Sequence, residues 1–168
     1  RASMKAIGSQ FATHRMLKEY YSQYYEAALN ESRALEADGY KASVSLAAYI
    51  DKVRRAWQGV RIVEFKDDGA PVVSRGTTIT VSVLVDLAGL SPDDVAVECY
   101  KGRLSSKGEI LDGARLPMTL VGPEGHYFRY QCAMHGEITG QIGHSVRVLP
   151  SHPALDGRFI PGLVRWAQ

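Results

Sequence analysis

Apolar positions near the start of the chain recur with a helical period. Met16, Leu17, Tyr20, Tyr21, Tyr24, Ala27 and Ala28 fall at i, i+3, i+4, i+7 and i+8 spacings, which draws one apolar stripe along a helix. Thr13 is placed to cap that helix, and Arg15 and Glu19 lie one turn apart, a pairing worth about a few tenths of a kcal/mol. A second helix is predicted from Ser43 through Leu46, Ala47, Ile50, Val53 and Arg54 to Trp57, with Gly59 as its cap. Proline, which breaks helix interiors, is absent from the first 58 residues and occurs seven times afterwards. In that first stretch only Gly8 and Gly39 stand as breakers.

After Gly59 the rhythm changes to a period of two. Val60, Ile62 and Phe65 open a strand; Ile79, Val81, Val83 and Val85 alternate with Thr78, Thr80, Ser82 and Leu84. Val95, Val97 and Cys99 form a third run, Met118 and Leu120 a shorter one, Phe128, Tyr130 and Cys132 another, and Val146 and Val148 a sixth. Turn chemistry separates them at Asp67-Asp68-Gly69, Ser91-Pro92-Asp93, Lys107-Gly108, Gly122-Pro123-Glu124-Gly125 and Gly140 to Gly143. The expected fold class is therefore α+β: a helical segment of two to three helices, then an antiparallel immunoglobulin-like β-sandwich of about seven strands. The expected domains are 1–58 and 59–168, with Pro150 to Gln168 a closing strand or docked tail. Trp57 and Trp166 both lie outside Cys99 and Cys132, so the Cys–Trp–Cys core of antibody domains is missing.

Composition adds exclusions. Twenty basic and eighteen acidic residues in 168 give a net charge of +2, and no basic cluster exceeds Lys52-Val-Arg54-Arg55. Nucleic-acid binding, which concentrates Lys and Arg on one face, is not expected. No apolar run reaches the roughly 18 residues that span a bilayer, so no membrane partner is expected and a cytoplasmic location is the default. Residues Arg1 to Gln10 enter mid-pattern without an initiating Met, which predicts an excised piece of something larger.

Candidate chemistry is sparse. The two cysteines lack a CxxC partner and read as small buried hydrophobes. His126, His135 and His144 recur every nine residues, a spacing that fits no structural zinc pattern, while His14 and His152 have no dyad partner; no metal is expected. Asp67-Asp68 and Asp93-Asp94 sit in turns and cannot face each other across a groove as glycosidase acids do. The glycine-spaced stretch Gly136 to Gly143 lacks the Gly-Lys-Ser/Thr ending of a phosphate loop. No catalytic residue is expected. Candidate sugar or partner contacts are the aromatics Tyr20, Tyr24, Tyr100, Tyr127 and Trp166, with Tyr130 a further platform, although alternation buries some of the strand aromatics; the tyrosine cluster Tyr20, Tyr21, Tyr24, Tyr25 is better read as a packing face.

Three segments carry a resemblance. Met4-Lys5 leads into Phe11-Ala-Thr-His-Arg15-Met16-Leu-Lys-Glu19-Tyr20 and Tyr24-Tyr25; Gly89-Leu90-Ser91-Pro92-Asp-Asp-Val95 continues to Val97-Glu98 and Tyr100-Lys-Gly102. The third is Val146-Arg147-Val148-Leu149-Pro150-Ser-His152-Pro153, closed by Gly162-Leu163-Val164-Arg165-Trp166-Ala167. In this order they resemble the bacterial α-glucan phosphorylases, the glycogen or maltodextrin phosphorylases of glycosyltransferase family 35. The resemblance implies that residues 1–58 end the second catalytic lobe of a parent enzyme and that 59–168 form its carboxy-terminal β-extension. The family reaction is phosphorolysis of an α-1,4-glucan to glucose 1-phosphate, with pyridoxal phosphate as cofactor. The cofactor lysine motif and the glycine-rich phosphate turn have no counterpart here. The resemblance therefore implies a fragment without cofactor or catalytic residues, inactive alone, whose partners are the rest of the parent, an α-glucan, and a second copy in a homo-oligomer. A carbohydrate-binding sandwich is the alternative.

Overall fold

The computed structural model describes residues 13–69, 76–136, 141–155 and 159–167. The compact units divide between Ala47 and Ala48. Met4, Lys5 and Phe11 of the first family-like segment, and residues 137–140 of the glycine-spaced stretch, lie outside the described residues.

In the first unit, α1 (Thr13–Tyr20) runs into a five-residue π-helical segment, Tyr21–Tyr25, and then into α2 (Glu26–Ala56). The predicted Arg15–Glu19 pair forms at 3.1 Å. The helical path of α2 breaks at Ala37, Asp38, Gly39 and Tyr40, the last three with φ of 53°, 66° and 65°. Gly39 takes this left-handed conformation without a Cβ penalty, and Asp38 tolerates it; Tyr40 does so under strain. Ser43 Oγ bridges the break by donating to the Leu35 carbonyl at 2.8 Å. Among the described side chains of residues 13–47, none is buried.

The second unit opens with the last turns of α2. Tyr49, Val53 and Trp57, four residues apart, form one stripe that is 7%, 0% and 1% exposed. Tyr49 Oη donates to the Asp94 carbonyl at 2.7 Å, and Lys52 Nζ reaches the Asp94 carboxylate at 2.6 Å. Gly59 follows the end of the helix as expected, its N–H donating to the Ala56 carbonyl at 2.9 Å, though without the left-handed conformation that favours glycine at a cap. Its value is proximity: a Cβ there would stand 2.8 Å from that of Ala88.

Eight strands follow among the described residues: β1 (Arg61–Asp67), β2 (Thr78–Asp86), β3 (Val95–Leu104), β4 (Ile110–Pro117), β5 (Thr119–Glu124), β6 (Tyr127–His135), β7 (Ile142–Pro150) and β8 (Arg165–Trp166). They form two four-stranded antiparallel sheets, ordered β1-β2-β6-β5 and β4-β3-β7-β8. The α+β class read from the sequence holds. Alternation buries Ile79, Val81, Val83 and Val85 from one sheet, and Val95, Val97, Cys99, Val146 and Val148 from the other. β4 escaped the periodicity. A register shift between Lys101 and Arg103 opposite it, and Gly113 in its middle, leave no two-residue rhythm to read.

Candidate functional site

The two segments that carry the resemblance in the β unit meet on one sheet face. Because alternation turns Val97 and Cys99 inward, Glu98 and Tyr100 project from the opposite face of β3. Register then sets Glu98 opposite Arg147 on β7, and Arg147 opposite Trp166 on β8. Arg147 donates to Glu98 Oε2 through Nε at 3.0 Å and Nη2 at 2.8 Å. Both side chains of this pair are largely shielded, at 12% and 19% exposure. Three rings surround the guanidinium: Phe159 at 5.1 Å, Trp166 at 5.4 Å and Tyr100 at 5.5 Å from their centroids. These distances are within cation–π range. Tyr100 and Trp166 also meet edge to face at 5.9 Å. Gly113 on β4 makes room, since a Cβ there would overlap the Tyr100 ring.

Next in sequence to Trp166, Arg165 donates to the Val60 carbonyl at 3.2 Å and the Trp57 carbonyl at 3.0 Å, which ties the last strand to the end of α2. A groove of about 350 Å³ runs beside it, lined by Val60, Ile62, Phe65, Arg165 and Trp166 among others. Aromatic faces around a paired guanidinium make a platform for flat apolar groups, either sugar rings or partner side chains. No nucleophile with an orienting base is part of it.

The remaining sequence-predicted contacts lie elsewhere. Tyr127 opens β6 in the other sheet, its ring 3.8 Å from that of His126. Tyr20 and Tyr24 stack at 5.5 Å in the helical unit and are 53% and 62% exposed. Tyr130, read as a platform, is a core residue at 4% exposure, and burial pushes its phenol up to about 12. Sequence reasoning missed Arg147, Glu98 and Phe159 as site members. Alternation around Val97 and Cys99 carried the signal for Glu98; the ring contact of Phe159 had none, because it comes from an irregular tail.

The histidines separate. His135 Nδ1 meets Thr78 Oγ1 at 3.0 Å, His144 stands in the interior of β7 against Phe65 and 3.4 Å from Asp67, and His152 stacks on Tyr49. Among the described residues no three His, Cys, Asp or Glu converge. The acidic turns are structural: Ser91 caps Asp93 N–H while Asp94 accepts from Ser91 N–H at 2.7 Å. On the outer face of the first sheet, Arg129 pairs with Glu124 at 2.6 Å and Glu64 at 3.1 Å. Glu64 is held below the usual carboxylate range first by Lys66 and then by Arg129, and Glu124 by Arg129. The cysteines, read as separate hydrophobes, both turn into the interior, Cys99 from β3 and Cys132 from β6, and each shifts the other's thiol.

Residues 57–168 match the family model described as the glycogen phosphorylase C-terminal domain. The chain is 33% identical over 176 aligned positions to maltodextrin phosphorylase of Thermococcus litoralis, covering 99% of this chain and 20% of that protein. It is 30% identical over 169 positions to glycogen phosphorylases of Mycobacterium bovis and Mycobacterium tuberculosis, again covering 99% of this chain and 20% of theirs. The chain thus spans about a fifth of the length of these curated relatives.

Proposed function

The chain belongs to the glycogen phosphorylase C-terminal domain family, and on that premise we propose that it is the non-catalytic carboxy-terminal portion of an α-glucan phosphorylase, with a structural and assembly role. The observation that carries this is the contrast within one chain of a fifth of its relatives' length. Residues 13–47 hold no buried side chain among those described, yet expose Met16, Leu17, Tyr20, Tyr21, Tyr24 and Tyr25 by half or more. Contiguous exposed apolar surface of this kind marks an interface. Its occupant is the preceding part of the parent chain, in which residues 1–58 end the second catalytic lobe and 59–168 form the β-extension.

The strand orders support an immunoglobulin-like sandwich. Lettered A, B, C, C′, D, E, F, G along the chain, the sheets read A-B-E-D and C′-C-F-G. The parent reaction, phosphorolysis of an α-1,4-glucan to glucose 1-phosphate in the cytoplasm with pyridoxal phosphate, takes place outside this piece. A cofactor lysine needs an enclosed site in which its ammonium loses a proton. Among the described residues no charged side chain is buried, so the described lysines do not fit that role. No described helix is long and apolar enough to cross a membrane. Incubating the chain with glucan, phosphate and pyridoxal phosphate is expected to give no glucose 1-phosphate; turnover would refute the proposal.

A second reading, a carbohydrate-binding module, draws on the Tyr100–Trp166–Phe159 platform around Arg147. NMR titration with maltodextrin at millimolar concentration decides it: shifts confined to those rings favour sugar binding, and an unchanged spectrum removes it. Light scattering tests self-association through either unit.

A further inference from the structure

We infer that Cys99 and Cys132 form a reversible disulfide between the two sheets when the chain meets a peroxide. The sequence holds only these two cysteines. Cys99 lies on the inner face of β3, opposite Val146, and is fully buried. Cys132 lies on the inner face of β6, opposite the buried Val81, and retains partial access to solvent. β3 and β6 belong to different sheets, so the pair bridges the interior. A second contact holds these strands together beside the pair: Lys101 Nζ donates to the His135 carbonyl at 3.1 Å.

The two thiols are not equivalent. Interaction with Cys132 pushes the Cys99 thiol up, and burial acts in the same direction. Interaction with Cys99 lowers the Cys132 thiol, burial opposes this, and nearby Lys101 assists it. The thiolate is the nucleophile in sulfur chemistry, so the more accessible cysteine is also the activated one. A resolving thiol on the inner face of the opposite sheet is placed to complete a reversible redox pair.

The step balances with hydrogen peroxide as the oxidant. Cys132 thiolate attacks one oxygen, the O–O bond breaks, and hydroxide leaves and is protonated to water, giving a sulfenic acid on Cys132. The Cys99 sulfur then attacks that sulfur. The S–O bond breaks, and the departing hydroxide takes the Cys99 proton and leaves as a second water. Two thiols lose two electrons and two protons, and one peroxide becomes two waters.

The test treats the reduced chain with hydrogen peroxide and follows intact mass and non-reducing peptide maps. The expected product is lighter by two hydrogens, joins the Cys99 and Cys132 peptides within one molecule, and returns to the starting mass with dithiothreitol. In Cys99→Ser, oxidation should stop at a sulfenic acid on Cys132 that dimedone traps; in Cys132→Ser, Cys99 should stay unmodified at the same dose. A Cys132 that gains oxygens while Cys99 remains a free thiol, a link between two copies, or no reaction at either thiol would overturn the inference. The wild-type peptide map decides the matter even if either variant fails to fold.

Discussion

The helical unit and the β unit answer the problem of burying apolar surface in opposite ways. The β unit closes two sheets over a shared interior and recruits Tyr49, Val53 and Trp57 from the end of α2 and the turn after it, so its inward-facing apolar residues are buried within the chain. The helical unit has the stripe and no described side chain that it buries. Isolated helices of this length are marginal in water, because most helical stability comes from tertiary packing. One region carries its own core, and the other buries no side chain among its described residues.

The largest effect that would sharpen this contrast comes from paired substitutions. Trp57→Ala removes a side chain that is 1% exposed and is expected to lower stability by about 3–5 kcal/mol in urea denaturation. Tyr24→Ala, at a residue 62% exposed, should stay within about 0.5 kcal/mol. Comparable losses for the two would break the comparison. Next, Arg147→Ala leaves Glu98 without its partner at 19% exposure and removes the cation beneath three rings. A loss of about 1.5–3 kcal/mol is expected in the same assay, and Arg147→Lys should recover only part of it because a point charge cannot reproduce both bonds from the guanidinium.

Alkaline pH provides a third check. Burial raises both Tyr49 and Tyr130 from 10.0 to about 12. Between these values the folded state keeps phenol protons that the unfolded chain has released. The stability from this source is complete below about pH 10 and falls as pH rises towards 12. Chemical denaturation across that window should show the decline, and Tyr49→Phe should make it shallower. The smallest expected effect belongs to the helical unit: Arg15→Ala breaks the exposed Arg15–Glu19 pair and should cost about 0.2–0.5 kcal/mol of helicity by circular dichroism.

Periodicity made much of this legible. The alternation of Ile79 to Val85 and of Val95 to Cys99 identified strands whose inner faces are buried, and the tyrosine spacing identified a helix. A local pattern cannot show which element a residue meets. Nothing around Trp57 says that the end of α2 joins the β unit, and nothing around Gly59 says that it also packs closely against Ala88. The π segment at Tyr21–Tyr25 lies inside the first predicted helix with no sign in the spacing, whereas the break at Ala37 to Tyr40 falls around Gly39, between the two predicted helices. At the candidate site, Tyr100 and Trp166 were visible as aromatics, but their meeting around Arg147 depends on the pairing of β3, β7 and β8. Tyr130 was offered as a platform although its alternation with Phe128 and Cys132 already placed it on the inner face of β6, where it is buried.

Amide hydrogen exchange, compared between this chain and the longer parent protein, tests the division of labour most directly. If the helical unit is half of an interface, residues 13–47 exchange rapidly in the chain alone and slowly in the parent, while the strands are protected in both. Equal protection of residues 13–47 in the two proteins would contradict it.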